Sequence, residues 1–288
     1  MRSNMACSRR RWRNRARRGS FGALDIGTTS QKILSVRMAT IAVGDIHGSL
    51  PPLNDVLDQI RGEGGPGDTI VFLGDYIDRG PDTRGCVDAI LRFQRQVEAE
   101  VVCLIGNHED WLLRTLHDHG RHSWLLGMEA FDTIRSYSVE AAVALRAAMK
   151  NAGAALYSER LALPYEAFVD RVPAAHIRFF EGLRLYCRTA DCLCVHGGLD
   201  ARIADVHDQP PDALIWGAGD FPNDYEGAQI VVYGHRNNAI LNADDWPVPI
   251  VIGRTIGIDT ISHGILTAIR LPDQRIYQSA RYPAAKRV

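Results

Sequence analysis

Asp45 and His47 stand two residues apart in Val-Gly-Asp-Ile-His-Gly, between glycines and directly after the apolar run Ala39–Val43. A carboxylate and an imidazole this close are competent metal donors. Four later segments close an apolar run in the same way. Asp75, Asp78 and Arg79 lie in GDYIDRG, Asn107 and His108 in GNHED, His196 in VHGG and His235 in YGH. Each alone has a plain structural reading: a capped turn, a loop histidine, a helix N-cap. Five apolar runs all ending by accident in oxygen and imidazole donors is a far weaker account than one shared site.

The donors can be counted. Asp45, His47, Asp75, Asn107, His196 and His235 provide three imidazoles, one amide and two carboxylates. That mixture suits two borderline divalent ions; it has too many imidazoles for calcium and no thiolate. Two ions a few ångströms apart need a bridge, and a carboxylate has two oxygens for it. Asp75, central in the order, is the natural bridge. Such a pair lowers the pKa of a shared water enough to make hydroxide available near neutral pH.

Which elements would bring these groups together? From Thr40 the chain alternates buried strands (TIAV, DTIVFL, EVVCLI) with helical stretches (SLPPLNDVLDQI, DTRGCVDAILRFQRQ). That alternation predicts βαβ units and a parallel sheet, with the site outside the carboxyl ends of the strands. Residues 109–182 read as a helical insert, clearest over Asp110–Leu116, Ser138–Lys150 and Pro173–Gly182. His117, His119 and His122 there read as solvated or capping residues. The last third is strand-rich: LRLYCR, CLCVHGG, QIVVYGH, TIGIDT and GILTAIRL. The expected class is α/β, with residues 38–288 as a single domain.

Composition excludes several classes. With 288 residues, 46% hydrophobic and 23% charged, the chain can bury a core without disulfides. No segment approaches the roughly 18 apolar residues of a spanning helix, so no membrane role is expected. The six cysteines show no paired zinc spacing, and Cys192 and Cys194 read as reduced thiols on one strand face, consistent with a cytoplasmic location. Residues 1–37 hold ten Lys/Arg and one acid, whereas the remainder carries a net charge of −10. The basic stretch RRRWRNRARR (9–18) reads as a disordered extension, and the acidic body disfavours nucleic acid as a partner.

The series GDIHG, GDYIDRG, GNHE, HGG and GH resembles the phosphoprotein phosphatase family of binuclear metallophosphoesterases, most closely its bacterial and phage serine/threonine branch. The resemblance runs over about 39–280. It implies a calcineurin-like α/β fold, mixed sheets flanked by helices, holding two divalent ions, with manganese implied and iron or zinc as alternatives. Carried over position by position, Asp45, His47 and Asp75 hold one ion, and Asp75, Asn107, His196 and His235 the other. His108 is implied as the general acid, oriented by Asp78, and Arg79 as the phosphate clamp, with Asn107 also near substrate. Hydroxide then attacks phosphorus directly. The implied substrate is phosphoserine or phosphothreonine on a protein, with phosphotyrosine or a small phosphoester also possible. A related branch hydrolyses dinucleoside polyphosphates, for which Trp111, Trp124 and Arg121 offer a cleft. A non-catalytic scaffold is the remaining alternative. Two departures from the pattern stand out: no arginine follows Trp216, leaving Arg236 or Arg254 as substitutes, and the segment after IGIDT reads ISHGILTAIR where relatives often read Gly and an aromatic, which puts His263 near the site as a substrate contact or a structural residue.

Overall fold

The computed structural model describes residues 38–284. The basic N-terminal stretch and Cys7 lie outside the described residues. Strands β1 (Thr40–Val43), β2 (Thr69–Phe72) and β3 (Glu100–Cys103) run parallel, as the alternation predicts. Between them lie helices α1 (Leu50–Ile60) and α2 (Thr83–Gln94). Asp82 caps α2, accepting the Gly85 N–H at 2.8 Å. Ser49 occupies the N-cap position of α1, but its hydroxyl donates to the His47 carbonyl instead.

Seven helices follow: α3 (Asn107–His117), α4 (Ser123–Gly127), α5 (Phe131–Tyr137), α6 (Val139–Ala152), α7 (Ala155–Ser158), α8 (Glu166–Val169) and α9 (Ala174–Glu181). The second half contributes β4 (Tyr186–Arg188), β5 (Cys192–Val195), α10 (Pro211–Trp216), β6 (Ile230–Tyr233), β7 (Ala239–Leu241), β8 (Pro247–Ile252), β9 (Thr255–Gly257), β10 (Thr267–Leu271) and β11 (Arg275–Gln278). Strands β7, β8 and β11 and helix α10 were not anticipated from sequence. The first two are half-exposed, and Pro247 and Pro249 in β8 masked the pattern.

The strands form two sheets, ordered β11-β10-β1-β2-β3 and β4-β5-β6-β9-β8-β7. Both are mixed: β10 lies antiparallel beside β1, whereas β5, β6 and β9 are mutually parallel. Alternation along each strand decides the layers. Ile41, Val43, Ile70 and Phe72 point to one face and pack on Leu53, Val56, Val87, Ile90 and Phe93 of the two helices. Ala42, Val71 and Val102 point to the other and meet Cys194, Val232 and Ile256 of the second sheet. Each fully buried aliphatic side chain contributes about 1.5–3 kcal/mol. This packing stacks the two sheets so that β1, β2, β3, β5 and β6 all end at one rim. The molecule is of the α/β class, two stacked mixed sheets flanked by helices.

Among the described residues, no helix is long and apolar enough to cross a membrane.

Candidate metal centre

The rim is built from residues held in an unfavourable backbone conformation. Eight described non-glycine residues have positive φ, and five of them are His47, Asp75, Asp78, Arg79 and His235. Each such conformation costs about 1–2 kcal/mol and persists only where surrounding structure enforces it. Here the enforcement is backbone hydrogen bonding between strand ends. The N–H groups of Ile46 and His47 donate to the Asp75 carbonyl, and Gly48 N–H to that of Tyr76. Glycines allow the close approach: Gly74, at φ +114°, would bring a Cβ to 2.7 Å from Gly106 N, and a Cβ on Gly234 would strike the Asp45 carboxylate.

The six predicted donors come from five separate strand ends, and the structure brings them together, nearly all buried. Asp75 is the shared vertex. Its Oδ2 lies 3.4 Å from His47 Nε2 and 3.9 Å from His108 Nε2, and its Oδ1 lies 3.3 Å from His196 Nε2. Two three-donor groups result, His47–Asp75–His108 and Asp75–His196–His235. Asn107 Oδ1 stands 3.0 Å from His196 Nε2 and 2.8 Å from His235 Nδ1. Asp45 accepts the His235 backbone N–H at 3.0 Å, which ties the first strand end to the last. It lies beside the two groups and belongs to neither.

Do these residues fit divalent cations? Tautomers answer first. His47 Nδ1–H donates to the Ile77 carbonyl and His196 Nδ1–H to that of Leu73, both at 2.9 Å. Each Nε2 therefore turns a lone pair inward, that of His47 accepting from Arg79 Nη1 at 2.7 Å. The Asn107 amide presents oxygen, a third lone pair, to two ring nitrogens. Turned over, its NH2 would donate to both rings and to Asp75 Oδ2 at 3.2 Å. In either orientation the amide lies within hydrogen-bond reach of both rings, a position from which its oxygen can serve a cation. Spacing agrees: donors about 3 Å apart form the edge of an octahedron with bonds of about 2.1 Å. Burial holds the His47 and His196 imidazoles below their ordinary range, and burial with the neighbouring His196 brings His235 to about 3. These shifts favour the neutral imidazole, the form metal ligation requires. Burial alone would raise the Asp75 carboxyl, but the four surrounding imidazoles outweigh it and hold it low, so it stays ionised.

His108 is placed differently. Its Nδ1 contacts Asp78 Oδ2 at 2.8 Å, leaving Nε2 facing the donor groups. Asp78 is in turn gripped by Trp124 Nε1–H at 2.9 Å, by the Thr133 hydroxyl at 2.7 Å, and by its own N–H donating to Thr133. Thus α4 and α5 reach back to set the angle of one carboxylate. Burial works against a charged His108, but Asp75 and Asp78 outweigh it and hold its pKa above the ordinary value. Arg79 spans the mouth, with Nη1 2.7 Å from His47 Nε2 and Nη2 3.2 Å from His108 Nε2.

Sequence reasoning assigned no role to Glu109. The structure buries it completely and aims four backbone N–H groups at it: Asp75 and Gly106 donate to Oε2 at 2.9 and 3.0 Å, Tyr76 and Ile77 to Oε1 at 2.9 and 3.2 Å. It clamps the end of β2 to the start of α3. The one signal available was its position three residues after Gly106, where a glutamate returns to the N-cap N–H. Burial and the Asp75 charge push its carboxyl up to about 8. Glu109→Gln, which turns an NH2 toward two of these donors, is expected to cost about 2–5 kcal/mol of stability in chemical denaturation. A loss below about 0.5 kcal/mol would remove the clamp.

Trp124, proposed for a cleft, is instead fully buried against Asp78. Arg121 is exposed and pairs with Asp118. His122 stands at the N-cap position of α4, as one of the two readings has it, with its ring buried between Tyr165 and the Leu161 carbonyl, and His119 faces Glu166. Arg254 sits at the opposite end of β6 from His235, its carbonyl taking the Val231 N–H, so it is no substitute clamp. Arg236 is exposed, with Nη1 3.4 Å from the Phe221 carbonyl. His263 contacts Asn237 at 2.8 Å.

The comparisons with known proteins agree with this chemistry. A family model for calcineurin-like phosphoesterases matches residues 38–249. The symmetrical bis(5'-nucleosyl)-tetraphosphatase of Pseudomonas putida is 35% identical over 98 residues, covering 34% of this chain and 30% of that protein. The zinc-dependent endopolyphosphatase of Saccharomyces cerevisiae is 38% identical over 69 residues, covering 24% and 20%. The matches thus span less than a third of the length of these curated relatives. A crystal structure named as a candidate diadenosine tetraphosphatase superposes at TM-score 0.54 over 85% of this chain and 94% of that one; at 20% identity it shows a shared fold.

Proposed function

The chain belongs to the calcineurin-like phosphoesterase family and is a metal-dependent phosphoester hydrolase, and on that premise we propose that it removes phosphate from phosphoserine and phosphothreonine side chains. One observation supports this choice of substrate: the buried Asp78–His108 pair beside the donor groups. A serine or threonine alkoxide is a very basic leaving group and departs only with a proton delivered to it. His108 Nε2 is the atom on the open side of that pair, so His108 is assigned as the acid and Asp78 as its orienting partner. Asp45, His47, Asp75, Asn107, His196 and His235 are assigned to hold two divalent ions, with manganese implied by the resemblance and iron or zinc also compatible with the donors. When bound, such ions supply Lewis-acid stabilisation of the phosphoryl oxygens and a water of lowered pKa. Arg79 offers those oxygens a bidentate fork, with the Asn107 amide nearby.

The names of the tetraphosphatase relatives support a second reading, hydrolysis of a dinucleoside polyphosphate. A nucleotide leaving group is far less basic than an alkoxide and has less need of His108. A manganese-loaded protein assayed side by side on a phosphoserine peptide and on diadenosine tetraphosphate is expected to favour the peptide by at least tenfold in kcat/KM. The reverse preference would install the second reading.

A further inference from the structure

Beyond the donors, α3 carries a second feature outward from the same rim. Asn107, Trp111 and Arg114 fall at i, i+4 and i+7, on one helix face. Trp111 meets Trp216, the last residue of α10, at 5.6 Å between ring centroids and a 52° tilt. Trp216 in turn sets its ring against the donor His235 at 5.5 Å, nearly perpendicular. The two half-buried indoles floor an open groove of about 600 Å³, rimmed by Arg114, Asp200, Asp212 and Gly217. No predicted donor lines it, so it is a separate compartment one aromatic ring away from the centre.

We infer that this groove holds an arginine side chain of the phosphoprotein substrate, two or three residues from the phosphorylated position. The inference rests on the phosphoprotein reading above. Distance selects the position. Along α3, Trp111 lies about 6 Å and Arg114 about 10 Å from Asn107, and an extended peptide covers about 3.3–3.6 Å per residue. A ring joined directly to the phosphoryl group, as in phosphotyrosine, is too close to reach past Trp216. Chemistry selects the occupant. Indole faces bind a planar guanidinium by stacking and cation–π attraction. Arg114, the cation among the lining residues, is already engaged by Asp110 at 2.9 Å and Asp212 at 3.4 Å. Asp200 is likewise held by Arg202. The lining residues set Asp200 and Asp212 against Arg114, and residues 38–288 carry a net charge of −10, which draws a basic peptide.

The test uses the full chain loaded with manganese and a set of phosphoserine peptides with Arg, Ala or Glu two or three residues to either side. The readout is the ratio of kcat/KM for Arg over Ala peptides within each enzyme, which cancels any general change in activity. A ratio of about fivefold is expected for the native protein, falling to about one in Trp111→Ala and partly restored in Trp111→Phe. A native ratio near one, or a ratio unchanged by Trp111→Ala, overturns the inference while leaving the phosphoprotein reading intact. If no phosphopeptide is hydrolysed while a small aryl phosphate is, that reading falls and takes this inference with it. A native peptide ratio near one together with selective slowing of diadenosine tetraphosphate hydrolysis in Trp111→Ala would make the groove a base platform and overturn the arginine assignment.

Discussion

Asp75→Asn is expected to lower kcat on any phosphoester by at least about a thousandfold and to reduce the bound metal. Asp75 is the one side chain common to both three-donor groups, with one oxygen toward His47 and the other toward His196. Asparagine keeps a single oxygen, which cannot serve both sides, and it removes the negative charge that the proposed pair of cations would need. Metal-ion stabilisation of phosphoryl charge is worth several kcal/mol, and each 1.36 kcal/mol is tenfold in rate. The measurement pairs elemental analysis of the purified protein with single-turnover rates. Metal-free samples of native and variant protein should melt within a few degrees of each other, because asparagine retains an acceptor for the His108 N–H now bonded at 3.2 Å. A variant keeping two equivalents of metal and a tenth of native activity would remove Asp75 from the bridging position.

His108→Asn should produce a loss that depends on the leaving group. Hydrolysis of alkyl phosphates such as phosphoserine is expected to slow by about a hundred- to ten-thousand-fold, the usual contribution of a placed acid. p-Nitrophenyl phosphate, whose phenolate departs without a proton, should slow less than about tenfold. His108 Nε2 also stands 3.9 Å from Asp75 Oδ2, so metal content is measured in the same samples; it should stay within a fifth of the native value. Equal slowing of both substrates would argue that His108 holds the centre together and donates no proton. Because Trp124 and Thr133 fix Asp78, Thr133→Val should follow the same pattern more weakly, which ties α5 to the chemistry.

The helices between β3 and β4 are where sequence reading found least. Little chemistry was visible from 109 to 182, yet Trp124 and Thr133 turn out to position the carboxylate behind the proposed acid. Nothing local announces this: Thr133 and Asp78 are 55 residues apart, and a threonine inside a short helix looks like any other. Trp124 was read as a cleft residue for the same reason, since an aromatic pattern does not tell a cavity wall from a buried hydrogen-bond donor. Glu109 was passed over because its four partners are backbone N–H groups, which leave no trace in side-chain spacing.

Sequence alone determined the donor types, their order and the strand ends that carry them, because strands buried on both faces are written as apolar runs and a parallel sheet gathers its carboxyl ends at one rim. Tertiary structure alone decided which atoms face which. The inward lone pairs of His47 and His196 depend on carbonyls of Ile77 and Leu73, and the left-handed backbone of His47, Asp75, Asp78, Arg79 and His235 is enforced by contacts between distant segments. Spacing along a chain encodes local geometry, whereas a tautomer or a strained φ is set by whatever the fold places within hydrogen-bond reach.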